Sequence, residues 1–308
     1  MLITVVCLAA AWMSAPRSSG QALPRFTGPA VRRPFPPGTI ARVTRRAVTY
    51  ASYLKVPELL ALQNERSGGP EGPEHDELLF IVIHQVYELW FKQLRHELAG
   101  VQRAFGAGDT DTALHRLNRI LKILKTLVAQ VDVLETMTPL QFTSFRDRLD
   151  SASGFQSAGF RQVEAMLGLR DPAAAIAQPV GSPARRAIES AQAAPSVWTS
   201  FLAYLIDRGH AIPDDVFGRL PTISPTPHER VQETLVAVYR GDPAAAFVAE
   251  RLVDLDEGVQ EWRYRHVKMV ERTIGTKRGT GGSSGVEYLR STLFRPAFPD
   301  LWEIRSRL

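Results

Sequence analysis

Two of the seven histidines stand where a packed helix calls for an apolar side chain. His84 sits in the middle of the most hydrophobic stretch of the chain, with Phe80 one helical turn before it on the same face. His266 falls on an apolar stripe made of Leu252, Leu255, Val259, Trp262, His266 and Val270. Either one alone reads most simply as a core imidazole bonded to a carbonyl. Two of them, on two different helices, are explained together by a planar cofactor held between them. A non-haem iron site of two His and one carboxylate is open to His84 and Glu88, but no convincing third ligand accompanies them. His75 and His96 flank acids without metal-ligand spacing, and His115, His210 and His228 read as solvated.

Arg146 lies one turn after Phe142 and next to Phe145. An arginine there either snorkels to water or presents its fork to a carboxylate in a partly apolar pocket, and spacing alone leaves the two readings even. The run GTGGSSG at residues 279–285 is not a phosphate-binding loop, because Lys277 precedes it and no Gly-Lys-Ser/Thr ends it. It is either a linker or a mobile lid offering donors from Thr280, Ser283 and Ser284.

The elements that position these residues are helical. Residues 76–105 run without proline and are too long for a strand. Six consecutive apolar residues, Leu78 to Ile83, predict a helix buried on most of its circumference. Residues 110–136 carry Leu114, Leu117, Leu121, Leu124, Val128 and Val131, the seam of a bundle helix packing on an antiparallel neighbour. Thr138-Pro139-Leu140-Gln141 reads as a capping box opening a short helix to about Leu149. Further helices are expected at 155–167, 196–208 and 228–240. The last long helix has Asp242 as its cap, Pro243 at its start and Gly275 at its end. No alternating strand pattern appears. The fold class is all-α, with long antiparallel helices forming a bundle.

With 308 residues, 44% of them hydrophobic, the chain can bury a sizeable core. Its single cysteine, Cys7, excludes a disulfide framework and a cysteine-ligated cluster. The net charge of +5 comes from the N-terminal tail. Residues 1–57 hold eight Arg and Lys and no acid, which leaves residues 58–308 at −3. A nucleic-acid partner is therefore not expected. Residues 2–15 are apolar and of signal-peptide length, but no basic residue precedes them, and they are too short for a comfortable membrane span. The Pro- and Arg-rich stretch that follows has no periodicity. Residues 1–46 read as a disordered leader or an upstream-assigned start, and 47–308 as a single domain. The second reading of the leader is preferred, with a cytoplasmic location and no membrane partner.

Several segments together resemble the tryptophan 2,3-dioxygenase family of tetrameric haem enzymes. They are YASYLKVPELLALQ at 50–63, HDELLFIVIHQVYELWFKQLRHEL at 75–98, FRDRLDSASGFQS at 145–157 and GHAIP at 209–213. WRYRHVKMVERTIGTKRGTGGSSGVEYL at 262–289 and FPDLWEIR at 298–305 complete the set, in order, across nearly all of 48–308.

The resemblance implies haem b, ferrous in the active state, with His266 as the axial ligand of its iron. It implies that His84 lies beside the substrate indole nitrogen and that Phe80 walls the indole pocket. Arg146 would pair with the substrate carboxylate, and Thr280 would lie near its ammonium group. Ser153 and Gly154 would line the haem pocket. Tyr50 and Tyr53 would reach a neighbouring subunit's active site in a homotetramer. Phe142 stands where some members carry tyrosine, so a hydroxyl near the carboxylate is missing here. The implied reaction cleaves the carbon 2–carbon 3 bond of L-tryptophan with dioxygen to give N-formyl-L-kynurenine, the first step of tryptophan catabolism via kynurenine. Two alternatives stand beside it. One is a relative oxidising a modified tryptophan or another indole. The other is a haem-binding sensor without turnover, which has no use for Arg146 and Thr280.

Overall fold

The computed structural model of the chain describes residues 47–150, 152–217, 224–277 and 285–308. The leader expected at 1–46 and the loop residue Thr280 lie outside the described residues. Residues 47–53 belong to an N-terminal unit and residues 54–308 form a second one. The first carries most of α1 (Tyr50–Leu54), where Tyr50 and Tyr53 are exposed.

The larger unit is built on three long helices. α2 (Val56–Leu59) is a single turn, and α3 (His75–Gly106) and α4 (Thr110–Leu134) form an antiparallel pair joined at Ala107–Asp109. Gly108 takes the left-handed conformation that this tight turn demands, at φ 64°. Between them and the third long helix come α5 (Pro139–Arg146), α6 (Ala158–Leu167), α7 (Pro172–Ile176), α8 (Pro183–Ala193), α9 (Val197–Asp207) and α10 (Glu229–Gly241). α11 (Pro243–Ile274) packs along α4, which is thus sandwiched between α3 and α11. α12 (Val286–Ser291) and α13 (Pro299–Glu303) close the chain. No strand occurs among the described residues, in keeping with the all-α expectation.

The seam of α4 is rotated from the expected one. Leu117, Leu124 and Val131 are buried as predicted, but Ala113, Ile120, Ile123, Leu127 and Leu134 complete the buried stripe, while Leu114, Leu121 and Val128 are only partly covered. The reason is that α4 serves two neighbours, so its apolar arc is wider than a two-helix seam. At Gly258 of α11 a Cβ would lie 3.0 Å from Leu124, a close approach that a glycine accommodates. A second correction concerns α3. Leu78 and Val82 are 44% and 39% exposed and only Ile83 of the six is fully buried, so among the described residues this end of α3 is not covered on most of its circumference. A third concerns His210 and His228, which are half-buried and bonded to Asp242 and Asp215 at 3.1 Å rather than solvated.

Buried carboxylates tie the long helices to the segments around them. Glu77 accepts from the backbone N–H groups of Arg66 and Ser67, both at 2.8 Å, and pins the loop before α3. Asp256 of α11 accepts from Ala297 N, Phe298 N and Trp302 Nε1 and fastens the C-terminal segment.

The start of α11 has a measurable anchor. Asp242 caps Ala245 N at 3.1 Å and receives both Nε and Nη2 of Arg208 at 2.7 and 2.6 Å. The Arg208 hydrogen bond is the largest influence holding its carboxyl well below the usual carboxylate range, against the opposing effect of burial. A depressed carboxyl pKa gives stability that is present above about pH 4 and lost as pH falls. Asp242→Ala is expected to cost about 2–3 kcal/mol near neutral pH. The loss should shrink at acid pH, as read from urea unfolding midpoints at pH 7 and pH 3.

Candidate functional site

A cavity of about 550 Å³ opens between α3, α5, α6 and α11, with the 152–157 loop and α12 at its rim. Both singled-out histidines line it, from opposite long helices. Phe80, Phe142, Arg146, Ser153 and Gly154 line it too, so seven of the ten residues selected from the sequence converge on one space. Tyr50 and Tyr53 belong to the N-terminal unit, and Thr280 lies outside the described residues.

α3 places His84 through helix geometry alone. Its Nδ1 lies 2.7 Å from the carbonyl oxygen of Phe80, one turn back. A carbonyl only accepts, so Nδ1 carries the hydrogen and Nε2 keeps a bare lone pair. Burial pushes the imidazole pKa below its ordinary value, against smaller raising effects of the Phe80 carbonyl and of Glu88. The ring is neutral at pH 7, and Nε2 can accept a hydrogen bond.

Phe80 packs at 4.1 Å on the His84 ring, tilted by 38°, and at 5.7 and 5.6 Å on Phe142 and Phe145. The capping box predicted at Thr138 and Gln141 is present and fixes the start of α5. α5 is short, ending at Arg146, and a 3-10 turn at Asp147–Leu149 completes the predicted span. That one helix presents Phe142 and the half-buried Arg146 to the cavity and sinks Phe145 into the core.

On α11, Trp262 is one turn before His266 and their rings stack at 5.3 Å, only 8° from parallel. No described residue makes a hydrogen bond to the His266 ring. Burial first, then the charges of His84 and Arg161, lower its pKa to about 4. It is a neutral imidazole with a free lone pair facing an apolar space, the form in which histidine binds a metal. Among the described residues no group of three His, Cys, Asp or Glu side chains comes together, so the pairing of His84 and Glu88 gains no third ligand. The Glu88 carboxylate instead takes the Ser157 hydroxyl at 2.5 Å.

The sequence reading missed the rest of the wall. Phe91, Phe160 and Trp262 meet at 4.7–6.0 Å and form an aromatic floor that reaches His266 through Trp262. Beside them Glu164 bonds to both Arg161 and Arg263. The i, i+3 spacing of Arg161 and Glu164 was a readable signal. Arg263 is 99 residues away from Glu164, and nothing local announces that pairing.

The arrangement can hold a flat hydrophobic group against one neutral imidazole and offer another imidazole, an arginine and two phenyl rings to a second ligand above it. The sequence model described as tryptophan 2,3-dioxygenase matches residues 38–176 and 227–308. A tryptophan 2,3-dioxygenase of Anaeromyxobacter sp. is 59% identical over 85% of this chain and 97% of its own length. That of Anaeromyxobacter dehalogenans is 60% identical over the same shares. That of Herpetosiphon aurantiacus is 58% identical over 85% of this chain and 99% of its own. With that identity sustained along both chains, and with the cavity built from the segments that match, the chain belongs to the tryptophan 2,3-dioxygenase family.

Proposed function

We propose that the cavity binds haem b through His266 and cleaves the indole carbon 2–carbon 3 bond of L-tryptophan with dioxygen to give N-formyl-L-kynurenine. The observation that carries this reading is the pair of neutral imidazoles, on α3 and α11, lining one largely apolar cavity. The residues present fit the cofactor. His266 has an uncommitted lone pair, the floor is aromatic, and Ser153 and Gly154 stand at the rim. Bound haem would supply reduced iron, the group that activates dioxygen.

The protein's part is positioning. Arg146 takes the substrate carboxylate in a partly apolar setting, where a bidentate pair is strong. Phe80 and Phe142 enclose the indole ring, and the Phe142 phenyl adds no hydroxyl to the carboxylate contact. His84 accepts the indole N–H at Nε2, the nitrogen left free by the Phe80 carbonyl. It need not take the proton, because an indole N–H is a far weaker acid than an imidazolium. Thr280 serves the ammonium group on the strength of the family resemblance alone.

The same reading includes a homotetramer, with Tyr50 and Tyr53 reaching a neighbouring active site. Leu78, Val82 and Leu89, 39–52% exposed along one side of α3, support contact with another copy. A cytoplasmic enzyme fits as well, and among the described residues no helix is long and apolar enough to cross a membrane.

Anaerobic reduction of the purified holoprotein, addition of L-tryptophan and admission of air should give repeated formation of formylkynurenine absorbance without an external reductant. Haem binding with no product would return the chain to the sensor reading. Arg146→Leu should lose about 2–5 kcal/mol of substrate binding, seen as a raised KM for L-tryptophan. The parent should turn over tryptamine poorly, and equal use of both substrates would contradict the role. His84→Ser should cost about 1–3 kcal/mol, or tenfold to a hundredfold in rate, with relative improvement for 1-methyl-L-tryptophan. Total loss with intact haem and unchanged substrate binding would make His84 an obligatory base instead.

A further inference from the structure

The cavity wall holds a second cationic centre that the assignments above leave unused. Arg161 and Arg263 are 7% and 6% exposed, and Glu164, which bonds them both, is 8% exposed. One carboxylate is divided between two guanidinium groups. Its Oε2 accepts from Arg161 Nη1 at 2.7 Å and its Oε1 from Arg263 Nη2 at 2.5 Å. The remaining contacts are long, with Arg161 Nε and Arg263 Nη1 each 3.4 Å from a backbone carbonyl, of Phe155 and Thr292. Asp171 acts on Arg161 only through space, since its carboxylate caps α7 and receives the Tyr288 hydroxyl. The cluster therefore keeps a cation in excess of its directly bonded anion, in a setting where an unbalanced charge is costly.

The free donor has a direction. Arg161 Nη2 makes no hydrogen bond to a described residue. It is not among the polar atoms sealed inside the protein without a partner, as Arg95 Nε and Trp262 Nε1 are. Arg161 lines the cavity, and its guanidinium lies 4.5 Å over the Phe155 ring, which fixes the plane of the fork. The side of the cavity is also defined. Arg263 is three residues before His266 on α11 and Glu164 ties Arg161 to it, whereas Arg146 stands with Phe142 on α5.

We propose that Arg161, backed by Arg263 and Glu164, is an anion receptor on the His266 side of the cavity that takes a carboxylate of the bound porphyrin. The proposal rests on the reading of this cavity as a haem site. A carboxylate is the matching chemistry because a planar two-pronged anion accepts from an arginine fork. Two carboxylates are available in the proposed reaction, one class on the porphyrin and one on the amino acid. The position beside His266 assigns this receptor to the porphyrin and leaves Arg146 for the amino acid.

The test compares haem with its dimethyl ester, which keeps the ring and iron and loses both anions. Each is loaded into the full-length protein, and transfer to excess apomyoglobin is followed by absorbance. In the wild type, haem should leave on the order of tenfold to a hundredfold more slowly than the ester. Arg161→Leu should speed the departure of haem and leave that of the ester unchanged, and Arg161→Lys should restore part of the difference. The ratio of KM values for tryptamine and L-tryptophan should stay at its wild-type value in both variants. Equal departure of haem and ester from the wild type overturns the proposal without touching the haem reading, and needs no variant to fold. A collapsed KM ratio in Arg161→Leu with unchanged haem retention overturns it in favour of the substrate carboxylate. A wild type that takes up neither porphyrin overturns the haem reading itself, and this proposal with it.

Discussion

Close packing drives helices together until their side chains interdigitate, and α3, α6 and α11 must resist it where they line the cavity. They do so through polar contacts with no slack. Glu164 braces α6 against α11, and Glu88 holds Ser157, the cap of α6, against α3. α4 then fixes the spacing of α3 and α11 from behind, packed on both. Removing one partner of a buried ion pair costs more than the pair contributes, so the Glu164–Arg263 brace opposes collapse even where it adds little to overall stability. The aromatic floor supplies flat surface, which neither an aliphatic core nor a solvated cleft would provide.

The same burial sets the chemistry. Two imidazoles in an apolar wall stay neutral at pH 7, and each then has one defined use. His84 is committed at Nδ1 by its own helix, which leaves Nε2 as an acceptor. His266 has no hydrogen-bonding partner in the described chain and is free to ligate. A charged imidazole could serve in neither role. Arg146, in contrast, presents a guanidinium in a half-buried place and suits an anion. In the proposed reading the cavity separates three tasks, namely holding the cofactor, orienting the ring and neutralising the carboxylate, onto three different helices, α11, α3 and α5.

Much of this was legible in the sequence because its signals are local. Apolar periodicity located α3 and α11, and a misplaced histidine on each stripe marked the site. Thr138-Pro139 and Asp242-Pro243 fixed two helix starts as caps followed by proline. The same signal stands at Asp171-Pro172 and Ser182-Pro183, which open α7 and α8, two helices absent from the sequence expectation. Those helices are alanine-rich or polar, and α8 buries only Ile188 and Gln192, so no apolar stripe drew attention to them. The exposed side of α3 is not encoded by its six consecutive apolar residues, which do not say how much of the helix the rest of the fold covers. The joining of Glu164 to Arg263 is set by the crossing of two helices, and no local pattern encodes it.

The central claim is that His266, and not another of the seven histidines, ties haem to the protein. The direct measurement is the iron–histidine stretching band of the ferrous protein by resonance Raman, in the wild type and in His266→Gly with and without added imidazole. The account predicts a band in the wild type, its loss with most of the haem in the variant, and return of both with imidazole at a shifted frequency. A variant that keeps full haem and the wild-type band without imidazole would place the ligand elsewhere and contradict the account.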